Sequence, residues 1–141
     1  MRPQIESLER RNLMSVSLVG GTLFIRADLP SQNSAFIYVE NDNSVVVGLN
    51  GQISTFNANG VQQVVYEGAQ GGGDIFENDT NTIPSHVTLY GRSNTFLGSL
   101  EQDIVNLFGS DDYIDGGGGG DVILTFGGSN TIAPHPDQLV V

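Results

Sequence analysis

The chain has 141 residues, of which 38% are apolar and 19 are glycine, a mix that favours short strands and turns over helices. It carries 16 acidic against 5 basic side chains, every basic one an arginine, and the resulting net charge of -11 argues against binding nucleic acid, whose phosphates need cations. The absence of cysteine excludes disulfides, thiolate zinc sites and thiol nucleophiles, and no stretch reaches the roughly 18 apolar residues of a membrane span.

Residues 1–19 read as an appendage. The first fifteen mix charges of both signs, with a weak helical spacing through Ile5, Leu8 and Asn12. Leu13 to Val19 is too short, and too broken by Ser15 and Ser17, for a standard signal peptide. Residues 20–67 form a series of short strands, expected at 22–26, 35–39, 45–49, 53–56 and 61–66, with turn clusters between them. Asn50-Gly51, set between two apolar-alternating runs, is the strongest hairpin signal. This part is expected to be an antiparallel β-meander with one buried face.

Residues 68–133 are periodic. Asn94-Thr95-Phe96, Asp103-Ile104-Val105, Asp112-Tyr113-Ile114, Asp121-Val122-Ile123 and Asn130-Thr131-Ile132 recur at intervals of nine residues. Each is an Asp or Asn, one residue, then a large apolar residue. Asp74-Ile75-Phe76 and Asn81-Thr82-Ile83 share the grammar upstream, and residues 77–86, with Pro84, break the register. A fixed period of this kind marks stacked structural repeats. Six residues turn and three form a strand, so the middle strand residues Phe96, Val105, Ile114, Ile123 and Ile132 should point inward. Strands 18 residues apart should then stack in parallel, giving a short parallel β-roll (β-solenoid) with nine-residue half-turns. The prolines of residues 134–141, which cannot donate ladder hydrogen bonds, are expected to cap the stack or leave a tail.

An acidic or amide oxygen beside a glycine turn in each repeat suggests a hard cation held between turns, because calcium takes about 6–8 oxygens. The fullest copy is Gly116-Gly117-Gly118-Gly119-Gly120-Asp121-Val122-Ile123-Leu124, which satisfies the nonapeptide pattern G-G-x-G-x-D-x-U-x. Its neighbours are degraded. Spacing places Asp103 and Asp121 on one edge, with Glu101 and the backbone of Gly117 and Gly119 nearby; Asn94, Asp112 and Asn130 lie on the other. Two carboxylates against one predict that the Asp103/Asp121 edge binds calcium best. Asp and Asn also suit turns without any ion, so a metal-free stack held by Asn, Ser and Gly hydrogen bonds stays open.

The chain resembles hemolysin-type (RTX) calcium-binding repeat proteins, and in particular the planctomycete secreted versions in which a short β-meander precedes the repeats. Leu8-Glu9-Arg10-Arg11-Asn12-Leu13-Met14-Ser15 is similar to their LExRxLxS-type N-terminal segment, an export-associated tag. Gly21-Thr22-Leu23-Phe24-Ile25, Gly60-Val61-Gln62-Gln63-Val64, Gly72-Gly73-Asp74-Ile75-Phe76 and Thr82-Ile83-Pro84-Ser85 follow the same family's steps. The resemblance implies an extracellular or cell-surface module, non-enzymatic, with calcium as cofactor and cell-surface or matrix components as partners. Enzymatic readings find little support in the residues. His86 and His135 are 49 apart with no zinc spacing, no G-x-S-x-G elbow occurs, and Arg92 is the only basic residue beyond position 26, which weighs against a polysaccharide-active β-helix.

Overall fold

A computed structural model describes residues 15–141. The tag-like motif at residues 8–15 lies almost wholly outside the described residues. Val16–Val19, expected within the appendage, is instead a strand, β1. It pairs antiparallel with β2 (Thr22–Arg26) through the turn at Gly20 and Gly21.

Three strands follow as an antiparallel meander: β3 (Ser34–Val39), β4 (Ser44–Leu49) and β5 (Gln52–Asn57). Asn50 and Gly51 join β4 to β5, both at positive φ (50° and 86°), the backbone a two-residue hairpin of right-handed twist needs. The stack then continues through β6 (Gln63–Glu67), β7 (Ile75–Asp79), β8 (Ser85–Arg92), β9 (Thr95–Leu97), β10 (Ile104–Ser110), β11 (Tyr113–Asp115), β12 (Val122–Thr125), β13 (Thr131–Ile132) and β14 (Leu139–Val140). From β6 onward successive strands alternate between two sheets, one ordered β1-β2-β6-β8-β10-β12-β14 and the other β13-β11-β9-β7-β3-β4-β5. The chain is an all-β solenoid with an antiparallel meander attached.

The register matches the nine-residue period. Val105 lies opposite Val87 and Ile123, and Ile114 opposite Phe96 and Ile132, each in a parallel pair. Phe96, Val105, Ile114 and Ile123 are fully buried, and Ile132, on the last coil, packs against the core from its edge. Tyr66, Phe76 and Phe96 stack face to face inside, with centroids 4.8 and 5.9 Å apart.

Two expectations are corrected. The coil starts before residue 68: β2 pairs in parallel with β6, and β3 with β7, so among the described residues only β1–β2 and β3–β4–β5 are antiparallel. A strand's apolar alternation is the same whichever way its neighbour runs, so sequence pattern alone could not tell these pairings apart. The C-terminal prolines end β13 without ending the stack, because β14 adds another parallel strand beside β12, with Val140 opposite Ile123. The irregular step at residues 77–86 is absorbed in a turn where Asn78 Nδ2 donates to Ile83 O at 2.8 Å and the Thr80 hydroxyl donates to Asn78 Oδ1 at 2.7 Å.

Candidate functional site

The Asp and Asn of the repeat stand just before each strand and point into the coil. Their side chains join one coil to the next. On one edge, Asn33 N donates to Asp74 Oδ1 (2.8 Å), Asp74 N to Asn94 Oδ1 (2.9 Å), Asn94 N to Asp112 Oδ1 (2.8 Å) and Asp112 N to Asn130 Oδ1 (3.0 Å). On the other, Ser85 N donates to Asp103 Oδ1 (2.7 Å) and Asp103 N to Asp121 Oδ1 (2.9 Å). Each rung thus occupies a backbone N–H that would otherwise be buried without a partner. Asp74, Asp103, Asp112 and Asp121 are at most 2% exposed.

The second side-chain atom of each rung separates the positions. An Asn turns its amide back to its own turn: Asn94 Nδ2 reaches Tyr90 O at 2.8 Å, Asn33 Nδ2 reaches Leu29 O at 3.0 Å, and Asn130 Nδ2 reaches Gly127 O at 3.3 Å. An Asp needs a donor there instead. Asp74 Oδ2 receives Ala69 N (2.7 Å) and the Tyr66 hydroxyl (3.1 Å), while Asp103 Oδ2 receives Ser99 N (2.8 Å) and the Ser99 hydroxyl (3.2 Å). Asp112 Oδ2 and Asp121 Oδ2 are buried and have no partner.

The electrostatics follow from this. Burial pushes the Asp121 carboxyl up to about 6, against the pull of the Asp103 N–H, and the neighbouring Asp103 charge adds to the rise. Burial also raises Asp112, opposed by the Asn94 donors, and raises Asp103, opposed by Ser85 and Ser99. Asp115 goes the other way, held below the ordinary carboxylate range by a hydrogen bond from His135, 2.8 Å away, and by Gly117 N.

All but one of the sequence-derived site residues lie around one turn, Asp112 being the exception. Gly117 and Gly119 lie in the turn of residues 116–120 at φ of 78° and 95°. That turn sits directly on the one containing Ser99 and Glu101. Gly118 N donates to Ser99 O at 3.2 Å, and a Cβ on Gly119 would come within 2.6 Å of Glu101 O and 2.7 Å of Leu100 O. Asp103 and Asp121 are successive rungs of this edge. Glu101 is exposed at its rim, and Asp112 belongs to the opposite edge. Among the described residues no three His, Asp or Glu side chains are placed to share a metal ion, so any cation here would depend on carbonyl oxygens. The unpartnered Oδ2 of Asp121, which lies against Gly116, is an oxygen of the kind a hard cation takes; the Leu100 and Glu101 carbonyls face a different part of the turn, at Gly119, and Asp103, with both oxygens engaged, has none to spare.

Ser85, Ser99, Asn33 and Tyr66 also belong to the ladders. Ser85 stands 18 residues before Asp103 and so sits in register. Asn33 is 41 residues from Asp74, across the β4–β5 hairpin, a gap no period reveals.

The fold and its ladders define a two-sheet β-solenoid stitched by inward Asp and Asn side chains. No protein-family model, no curated protein and no solved structure matches this chain.

Proposed function

We propose that this chain is a non-catalytic structural module, an extracellular or cell-surface β-solenoid whose coils are stitched by the Asp/Asn ladders and whose C-terminal turns are tightened by calcium. The observation that carries this reading is the unpartnered Oδ2 of Asp121, buried beneath a glycine turn that faces two carbonyls of the preceding turn. A buried carboxylate oxygen without a donor is costly, and the cost is relieved by a proton or by a cation. Asp121 would hold the ion together with backbone oxygens of the stacked turns, and Asp112 would do so more weakly on the other edge. Calcium would supply positive charge where Asp74 and Asp103 use protein donors. Binding only to the folded state at a hundredfold excess over Kd would stabilise it by about 2.7 kcal/mol. Adhesion to cell-surface or matrix components is the role proposed for the resulting rod.

The metal-free reading has its own support: the Asp103 rung is satisfied by the hydroxyls and N–H groups of Ser85 and Ser99. Thermal melting of the full chain at neutral pH separates the two. The calcium reading expects a higher Tm in millimolar calcium than in chelator, with the difference lost in Asp121→Asn. An unchanged Tm up to about 10 mM calcium would sink it.

A further inference from the structure

The outward face of the sheet carrying β8, β10, β12 and β14 is unusual for so acidic a protein. Register aligns one outward row across six strands: Phe24, Val65, His86, Ile104, Val122 and Leu139. A second outward row is aromatic. Tyr90, Phe108 and Phe126 stack along the coil axis, with centroids 5.6 and 4.6 Å apart and planes within 17° and 8°. Phe108 is 45% exposed, Phe126 59% and Leu139 56%. Between the two rows stand Thr88, Asn106 and Leu124, the Asn106 amide meeting the His86 ring at 3.0 Å. From β8 to β14 this area bears no Asp, Glu or Arg between the two rows, in a chain of net charge -11. Charges border it on two sides: the exposed Glu67 of β6 stands opposite Thr88, with Arg26 beside it, and the Arg92–Asp111 pair lies beyond the aromatic row. Exposed apolar rows of this kind, on a face whose remaining side chains are uncharged, mark a contact surface.

Three observations decide what covers it. The aromatic rings lie face to face with one another, so only their edges and the two outermost faces are free; a sugar needs ring faces to stack on, and these are largely taken. Elsewhere the acidic surface repels a second copy, and this face is where two copies approach without apposing like charges. The side chains also repeat once per strand, at roughly 4.8 Å, so the surface that interdigitates with them rung for rung is another stack of the same period.

We propose that this face is a homodimer interface, on which a second copy lays its own β8–β10–β12 face, sheet against sheet. Such a contact is isologous, the same patch on both partners, as a two-fold axis demands. The four strands β8, β10, β12 and β14 by about five residues give a flat footprint of roughly 300–400 Å² per copy, below the roughly 600 Å² per copy at which stable specific interfaces begin. The dimer is therefore weak and concentration-dependent. The inference is independent of calcium.

Sedimentation of the full chain from about 5 to 500 µM, in chelator and in calcium, tests it. The expected result is a monomer–dimer equilibrium in both buffers, so its outcome is separable from that of the calcium reading. Phe108→Lys should weaken dimerisation at least about tenfold while circular dichroism and Tm stay unchanged. Leu124→Lys provides a second disruption if Phe108→Lys fails to fold. Ile53→Lys, exposed on β5 of the other sheet, should change nothing. A monomer at every concentration overturns the proposal, as does a dimer that survives both lysine variants. Retention of monomeric protein on crystalline cellulose or chitin, lost in Phe108→Lys, would overturn it in favour of a polysaccharide platform.

Discussion

Asp74 and Asp121 obey the same repeat grammar and meet opposite circumstances. Asp74, near the start of the stack, accepts from Asn33 N, Asn33 Nδ2, Ala69 N and the Tyr66 hydroxyl, so both oxygens are satisfied by protein. Asp121, near its end, accepts one N–H, from Asp103, and its other oxygen is buried and alone. Their Oδ1 bonds are alike. What differs is whether the local turn presents a donor to Oδ2. At Asp74 the Ala69 amide does, and at Asp103 the Ser99 amide and hydroxyl do; the glycine turn before Asp121 has no hydroxyl and directs no N–H to that oxygen. The same residue at the same place in its repeat is thus a finished strut on one ladder and a position open to a proton or an ion on the other.

The contrast can be broken most severely at Asp74. Asp74→Ala strands four buried donors at once and should cost about 3 kcal/mol or more in urea unfolding, enough to leave the chain largely unfolded if its total stability is ordinary. Next come the paired amide substitutions. Asp103→Asn places an NH2 group against the Ser99 amide and should destabilise by about 1–2 kcal/mol. Asp112→Asn follows the pattern of Asn94 and Asn130, whose amides donate to carbonyls of their own turns, and should stabilise the calcium-free protein by about 1 kcal/mol. Equal effects of the two substitutions would erase the distinction between satisfied and orphaned rungs.

Acid sharpens the comparison further. The folded-state pKa of Asp121 is raised above its ordinary value of 3.8 to about 6, so the folded form binds the proton more tightly than the unfolded form. Stability contributed by that proton is absent at neutral pH, grows as pH falls through about 6, and is complete below the unfolded value. In chelator, Tm should therefore be higher at about pH 5 than at neutrality, and Asp121→Asn should flatten the profile. The smallest effect is expected at Arg92, whose partner Asp111 is exposed; Arg92→Ala should leave Tm within measurement error.

Much of the coil is legible in the amino-acid pattern. The apolar rungs from Phe96 to Ile132, the hairpin at Asn50-Gly51 and the sorting of Asp and Asn onto two edges are all readable there. The rungs and edges follow from a period, because a stack repeats its geometry wherever it repeats its spacing, and the hairpin follows from its turn residues. The grouping of Gly117, Gly119, Asp103 and Asp121 around one turn is legible from the same period. Less visible are the members that keep no period. Asn33 joins the ladder across a hairpin insertion, Tyr66 reaches Asp74 from the other sheet, and β14 adds its strand after a proline-containing turn.

By itself, then, the sequence determined the architecture: one inward residue per half-turn and one oxygen-bearing residue before each strand are enough to specify a two-sheet coil, since side-chain direction in a strand depends only on position. Tertiary structure alone decided the direction of pairing between β2 and β6, the satisfaction of each carboxylate, and the gathering of Phe108 and its neighbours into one uncharged face. Those properties depend on what lies across the coil or in the turn beneath. A hydrogen bond or a buried charge is settled by the neighbour it meets in space, and a repeat pattern names the position without naming that neighbour.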